Sequence, residues 1–313
     1  MEDIKVSIIC NAYNHEEYIR DALDSFLMQK TNFKFEVLIH DDASTDKTAD
    51  VIREYEAKYP EIIKPIYQTE NQYSKGVKIA DLYQIPRIKG EYVAFCEGDD
   101  YWTDPLKLQK QYDILEENKD IDICAHGAVS VRADTKRVLS YITPSKVSRI
   151  MPMEEVIMGD GVYVAANSAF YRKEAYIDMP EFKRVFRYQF TSKLRATVRG
   201  GMYYIADVMS AYRVLTKSSW TRKMANDPQR WYAFHENKRK MFQLLDEYTE
   251  YKYTNTIQEK IKMDQFLLLL QTGQYKEASK KANRKYLKKL PKKQSLSIFV
   301  RARLPWLVKL LKK

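Results

Sequence analysis

Three acids within four positions, Glu97, Asp99 and Asp100, follow an apolar run in Phe95-Cys96-Glu97-Gly98-Asp99-Asp100-Tyr101-Trp102. Carboxylates packed this closely repel one another, so a site that keeps them ionised together needs a cation such as Mg²⁺ or Mn²⁺. Such a cation can take up the charge that develops on a departing diphosphate. The plain alternative is a solvated acidic turn. Asp41 and Asp42 open a second polar segment, Asp41-Asp42-Ala43-Ser44-Thr45-Asp46, able to accept hydrogen bonds from a ribose or base, or simply to cap a helix. The turn-rich stretch from Glu70 to Gly76 contains Asn71 and Lys75, which could supply a base contact and a phosphate cation, or belong to a mere connector.

Several chemistries lack their motifs. The four histidines, His126 among them, show no ligand spacing, and there is no Gly-rich phosphate loop, Ser-His-Asp order or paired-cysteine pattern. Those absences remove the commonest hydrolase, dehydrogenase, kinase-like and zinc readings. A nucleotidyltransferase would want a Gly-rich, basic loop after the first strand, and Asn11 to His15 is not one. Cys10, Cys96 and Cys124 lie in or beside apolar runs and read as reduced core residues of a cytosolic protein.

The elements that would carry these residues alternate. Ile4 to Cys10 reads as a strand ending at Ala12, Tyr13 and Asn14, and Glu16 to Gln29 has helical spacing. A strand at Phe35 to Ile39 leads into a helix through Tyr59. Strands follow at Ile62 to Tyr67 and Tyr92 to Cys96, then a helix to about Asn118. Strands are expected at Ile121 to Val131 and Arg137 to Ile142, a short helix at Met153 to Met158, extended chain at Val162 to Tyr171 and a helix at Tyr188 to Arg199. Met202 to Val214 reads as a hairpin, and the chain turns helical from about Pro228. Strands alternating with helices predict an α/β fold with a parallel sheet, whose ligands bind at the carboxyl edge of the strands. Four polar segments end there.

With 45% hydrophobic and 13% aromatic residues, the 313-residue chain can fill a real core and is not disordered. We expect a catalytic domain over residues 1–222, a helical region over 223–285 and a basic amphipathic tail over 286–313. The formal net charge of +11 sits in the last part: residues 280–313 hold 13 Lys and Arg and no acid, leaving 40 bases against 42 acids before them. Ile298, Phe299, Leu304, Trp306, Leu307, Leu310 and Leu311 alternate there with Arg301, Arg303, Lys309, Lys312 and Lys313, and Pro305 permits a helix start, so two short helices are expected. Such a segment suits an anionic membrane surface, or packing on the body or a second subunit as a homodimer; no nucleic-acid motif accompanies it. The acidic start is the wrong order for a secretory signal, and no apolar stretch reaches the roughly 18 to 20 residues of a membrane span. A cytoplasmic protein, peripheral on the inner face of the cell membrane, is the expectation.

Taken together, Val6-Ser7-Ile8-Ile9-Cys10-Asn11-Ala12-Tyr13-Asn14, Ile39-His40-Asp41-Asp42-Ala43-Ser44-Thr45-Asp46 and Glu97-Gly98-Asp99-Asp100-Tyr101-Trp102-Thr103-Asp104-Pro105 resemble the family 2 glycosyltransferases of bacterial capsule and cell-wall polysaccharide clusters, over residues 4 to 222. Asn167-Ser168-Ala169-Phe170-Tyr171-Arg172 looks like the segment before the acceptor site, and Met209-Ser210-Ala211-Tyr212-Arg213 with Ser219-Trp220 like the closing motif. The resemblance implies a GT-A fold, with a Rossmann-like mixed sheet and flanking helices. It also implies a nucleoside-diphosphate sugar donor such as a UDP-sugar, a divalent metal, a glycan or lipid-linked acceptor and inversion at the anomeric carbon. Carried over by position, Ala12, Tyr13, Asn14, Asp41, Asp42, Asn71, Lys75 and Gly98 would line the donor site. Asp99 would bind metal, with Glu97 facing ribose or metal, and Asp99 and Asp100 would be the catalytic acids. Arg213 and Trp220 would close over the diphosphate. One departure stands out. Counted back from Gly200-Gly201-Met202, the general-base Asp of related sequences falls on Gln189, and a neutral amide cannot take a proton. Either Asp178 or Glu181 is the base, or the acceptor is activated otherwise, or transfer is impaired.

Overall fold

The computed structural model describes residues 3–161, 163–214 and 227–303. The chain divides into two compact units, residues 1–179 with 187–218, and residues 180–186 with 219–313.

The first unit opens with β1 (Ile4–Ala12), α1 (Ile19–Leu27), β2 (Lys34–Asp41), α2 (Thr48–Lys58), β3 (Ile63–Tyr67) and β4 (Tyr92–Phe95). β1, β2 and β4 are near-continuous apolar runs because their residues are covered on both faces; Val6, Ile8, Ile9, Val37, Ile39, Val93 and Ala94 are all fully buried. α1 puts Ile19, Ala22, Leu23 and Phe26, spaced three and four apart, onto that sheet. There follow β5 (Tyr101–Trp102), α3 (Lys107–Glu117), β6 (Ile123–Arg132), β7 (Val138–Ile142), β8 (Arg149–Met151), α4 (Met153–Gly159), β9 (Phe170–Arg172) and α5 (Lys173–Ile177). After α6 (Glu181–Val185), which belongs to the second unit, come α7 (Gln189–Thr197) and β10 (Met202–Val214).

The sheet runs β3-β2-β1-β4-β9-β6-β10-β5, with β7 beside β6 and β8 beside β10. β3, β2, β1 and β4 are mutually parallel, β9 is antiparallel to both its neighbours, and β6 and β10 are again parallel. The sheet is therefore mixed. Chain order reverses between β1 and β4, and ligands of open α/β sheets bind at such a switch point, outside the carboxyl ends of the strands.

Three local expectations fail. Met202 to Val214 is one strand and not a hairpin: the step at Ala206, with exposed Asp207 and Val208, that looks like a turn is absorbed as register shifts against β6, between Ile205 and Val208 and again before Ser210. Val162 to Tyr171 is not continuously extended, since Ala166–Ser168 form a 3₁₀ turn before β9. Ala80 to Arg87 is helical, as a π turn and a 3₁₀ turn, where no helix is expected. Elsewhere the borders move by a few residues. Gly200 and Gly201, with φ of 75° and 90°, reverse the chain between α7 and β10 in a conformation other residues adopt at a cost.

The second unit is helical. α8 (Pro228–Tyr248) and α9 (Thr254–Gln271) pack together, with Met241, Phe242, Leu245 and Ile257 buried. Asp227 caps α8 by accepting from the Gln229 and Arg230 amides. Short helices α10 (Tyr275–Ala278), α11 (Arg284–Lys289) and α12 (Lys292–Arg303) close the described chain around Phe266, Ala278 and Tyr286. The expected helix beginning at Pro305, with Trp306 and the leucines after it, lies outside the described residues. Among the described residues no helix is long and apolar enough to cross a membrane.

Candidate active site

The loops that leave β1 and β4 meet at the switch point. Cys96 donates its amide to the Ile9 carbonyl (3.1 Å) and Gly98 to the Asn11 carbonyl (2.9 Å), so the acidic turn is stitched to the end of β1. Gly98 sits in a tight fit. A Cβ there would lie 2.9 Å from Ile19 Cδ1, 3.0 Å from His15 Nδ1 and 3.2 Å from Ala12 Cβ.

The three acids do different work. Asp100, expected among the catalytic acids, is buried and turned into the frame: Oδ1 accepts from the Arg213 amide (2.8 Å) and Oδ2 from Asn167 Nδ2 (3.1 Å). Asn167 is itself fixed, donating to the Ala211 carbonyl (2.9 Å) and accepting from Ser210 Oγ (2.8 Å), while Trp102 Nε1 donates to its carbonyl (2.9 Å). Asp99 and Glu97 are left for the crevice. The Asp99 side chain is 21% exposed, and His15 Nε2 lies 4.0 Å from Oδ2. Burial holds His15 below its usual range against the pull of Asp99, so the imidazole stays neutral and does not cancel that charge.

Burial, and then the Asp99 charge, push the Glu97 carboxyl up to about 8 against a hydrogen bond from Asn11. Burial and Asp99 likewise raise Asp100 well above the carboxylate range. Among the described residues no three His, Cys, Asp or Glu side chains converge as a complete metal cage. Two carboxylates do suffice for Mg²⁺ or Mn²⁺, which keep waters and share phosphate oxygens, and Glu97 with Asp99 fit that donor set.

Arg213 was expected over the diphosphate. Its side chain is only 1% exposed, because the guanidinium donates to the Asp99 carbonyl (2.7 Å), pairs with Asp21 and lies over the Tyr101 and Tyr18 rings at 4.6 and 5.2 Å. It braces the acidic turn from behind. Trp220 lies outside the described residues.

On the other side of the switch point, Asp41 accepts from Ser44 Oγ (2.6 Å), and Asp42 from the Gln72 and Tyr73 amides (2.7 and 3.0 Å). Both acids therefore fasten loops. Asn71 donates to the Asp42 carbonyl (3.2 Å) and accepts from the Ser74 amide (2.7 Å). Lys75 pairs with Glu70 at the surface. Asn14, with φ of 56°, accepts from the Thr45 amide (2.8 Å), and Asp42 donates its amide to the Ala12 carbonyl (2.9 Å). Tyr13 is exposed beside them. Ala12, Asp42 and Asn71 are joined directly, Asn14 and Asp41 both bond the Ser44-Thr45 step, and the acidic turn is tied to Asn11, so these segments gather at the carboxyl ends of β1, β2 and β4.

Gln189 is the first residue of α7, and its amide hydrogen-bonds the hydroxyl of buried Tyr176, whose ionisation burial pushes up to about 12 with Glu97 adding to the rise. Gln189 Oε1 is buried without a hydrogen-bond partner. Asp178 pairs with Arg195, and Glu181 is exposed at the start of α6 in the second unit. Tyr212, half-exposed on β10, also feels the turn: burial and the charges of Asp100, Asp99 and Glu97 push its hydroxyl up to about 12. Asp21, Asn167, His15, Tyr176 and Tyr212 were not picked out as site residues from sequence. Only Asn167, a polar residue inside Ala165-Ala166-Asn167-Ser168-Ala169, carried a signal that could have marked it.

Comparison with known proteins agrees with this frame. The model of glycosyl transferase family 2 matches residues 7–178. An uncharacterized protein of Mycobacterium tuberculosis is 36% identical over 216 residues, 69% of this chain and 60% of its own length, so the chain spans about three fifths of that relative. The putative teichuronic acid biosynthesis glycosyltransferase TuaG of Bacillus subtilis is 28% identical over 242 residues, 76% of this chain and 90% of that protein. In fold the chain is similar to the crystal structure of S. aureus TarS residues 1–349 in complex with UDP-GlcNAc, with a TM-score of 0.65 at 17% identity, covering 96% of this chain and 81% of that one. The fold is GT-A, and the chain belongs to glycosyltransferase family 2.

Proposed function

We propose that this protein transfers a sugar from a nucleoside diphosphate sugar, a UDP-sugar, to a glycan or lipid-linked acceptor in bacterial surface polysaccharide synthesis, with inversion at the anomeric carbon. The observation that carries the reading is the division of labour in the acidic turn: both Asp100 oxygens are taken up by the frame, which leaves Glu97 and the part-exposed Asp99 as its two acids for the crevice. Ala12, Tyr13 and Asn14 at the end of β1, with Asp41, Asp42 and Asn71 across from them, receive the nucleoside. Glu97 and Asp99 hold a divalent cation, which when bound neutralises charge on the departing diphosphate. Arg213 keeps Asp99 in place through its carbonyl. The family membership and the likeness to a structure that holds UDP-GlcNAc support the choice of donor. A lipid-linked acceptor suits a cytoplasmic protein lying peripherally on the inner face of the membrane.

A second reading has its own observation. Gln189 stands where related sequences have the base, its Oε1 can accept a hydrogen bond from an acceptor hydroxyl but cannot remove the proton, and Asp178 is engaged by Arg195. On that reading, which rests on the neutral amide and the engaged Asp178 and not on contact between buried Oε1 and an acceptor, the chain binds the nucleotide sugar and transfers it poorly. Release of UDP from a panel of UDP-sugars, with Mn²⁺ and with chelator, and with and without polysaccharide or lipid-linked acceptors, tests both. Metal-dependent release stimulated by an acceptor supports transfer. Metal-dependent release that no acceptor stimulates favours the second reading, and no release from any donor sinks the first.

A further inference from the structure

The basic end of the chain forms a helix with two faces. α12 turns Ser295, Ile298 and Arg301 inward: Ile298 is 4% exposed, Ser295 Oγ donates to the Leu287 carbonyl (2.9 Å) and Arg301 donates to the Tyr275 hydroxyl (3.1 Å) while lying over its ring. These residues recur at three-residue intervals and fasten one stripe of the helix to α10 and α11. The opposite stripe carries Leu296 and Phe299, 64% and 47% exposed, with Arg303 one turn on and its guanidinium 4.9 Å above the Phe299 ring. Lys293 on α12 and Lys288 and Lys289 on α11 are exposed, and the acid whose charge Lys289 feels, Glu259 on α9, is paired with Lys285. Large apolar side chains that a helix presents to water, ringed by cations with no acid among residues 280–313, match the two layers of an anionic bilayer surface: phosphate headgroups for the cations, the acyl boundary for Leu296 and Phe299.

We propose that the outward face of α12, Leu296, Phe299 and Arg303 with Lys288, Lys289 and Lys293 beside it, docks the protein on an anionic lipid bilayer. This deepens the peripheral location proposed above by naming the surface that carries it. Of the apolar residues that alternate with bases in this stretch, Ile298 anchors the helix to the protein, and Leu296 and Phe299 meet the lipid. Residues 304–313 are not needed for the argument.

The test is sedimentation of the full chain with vesicles of phosphatidylcholine alone or mixed with phosphatidylglycerol. Binding to the anionic vesicles exceeds that to the neutral ones by about tenfold or more at low salt and collapses at high salt. Leu296→Ser with Phe299→Ser removes most of it, and so does the triple change Lys288→Gln, Lys289→Gln, Lys293→Gln. Each variant keeps the wild-type circular dichroism spectrum and the thermal shift with UDP and Mn²⁺, which separates failure of this proposal from failure of the donor-site reading. Equal recovery in the supernatant with both vesicle types overturns the proposal, as does anionic binding that neither set of changes weakens. Tighter binding to duplex DNA or RNA that displaces the vesicles overturns it in favour of a nucleic-acid partner.

Discussion

The main-chain amide of Arg213 donates to Asp100 Oδ1 at 2.8 Å, so the end of β10 and the acidic turn after β4 share one buried bond. Asn167 supplies the second bond to the same carboxylate. Asp100→Ala leaves two buried donors unpaired and costs about 3 kcal/mol, read as a fall in melting temperature. Asp100→Asn retains one acceptor oxygen and loses less. Equal, negligible losses for both variants would show that the frame does not depend on Asp100.

Gly98→Ala is the second prediction. The added methyl makes Ile19 Cδ1, His15 and Ala12 each give by a few tenths of an ångström, so we expect about 1 kcal/mol of destabilisation. Because the same contacts set the position of Glu97 and Asp99, UDP affinity in Mn²⁺ should fall as well. Titration calorimetry on the folded variant checks this, and unchanged affinity would mean that the turn can shift without consequence.

Buried Lys107 gives a pH dependence. Its Nζ donates to Gln111 Oε1 (2.7 Å) and lies 4.0 Å over the Trp102 ring, yet burial pushes the ammonium down to about 7. An unfolded lysine titrates near 10.4, so between about pH 7 and 10 the unfolded chain binds more protons and stability contributed by this residue rises with pH. The stability of the wild type relative to Lys107→Met should improve by at most about 1.4 kcal/mol per pH unit across that window, measured by urea unfolding. A difference that stays flat would mean that the Trp102 ring and Gln111 keep the lysine charged.

Gln189→Glu tests the missing base. If the acceptor hydroxyl sits against this position, the carboxylate should raise turnover by roughly a hundredfold, in the usual range of general-base catalysis, and leave UDP binding unchanged. The rate should climb with pH through the new carboxyl's titration. An inert or slower variant would place proton removal elsewhere.

Much of this site could be read from the sequence because strand-end chemistry is local. Apolar runs broken by Asn11-Ala12-Tyr13-Asn14, His40-Asp41-Asp42 and Glu97-Gly98-Asp99-Asp100 announce both a parallel sheet and its loaded edge. What stayed hidden depends on contacts between distant segments. Nothing in the order of residues says that Asp100 turns inward, since its partners Asn167 and Arg213 lie 67 and 113 positions away. The resemblance puts Arg213 over the diphosphate, and its packing against Tyr18, Tyr101 and Asp21, which buries it beside the acidic turn, is invisible in the sequence. The supposed hairpin in β10 failed for a related reason: a bulge and a turn expose the same residue types, and the neighbouring strand decides between them.

The central claim is that Glu97 and Asp99 hold a cation that the nucleotide needs. Thermal unfolding with UDP, in Mn²⁺ and in chelator, on the wild type and on Asp99→Asn, addresses it most directly, because ligand binding to the folded state raises the melting temperature in step with the logarithm of ligand over dissociation constant. The account predicts a UDP shift that requires Mn²⁺ in the wild type and is lost in Asp99→Asn, with the unliganded melting temperature nearly unchanged. A UDP shift of the same size in chelator, or one that survives in Asp99→Asn, would contradict it.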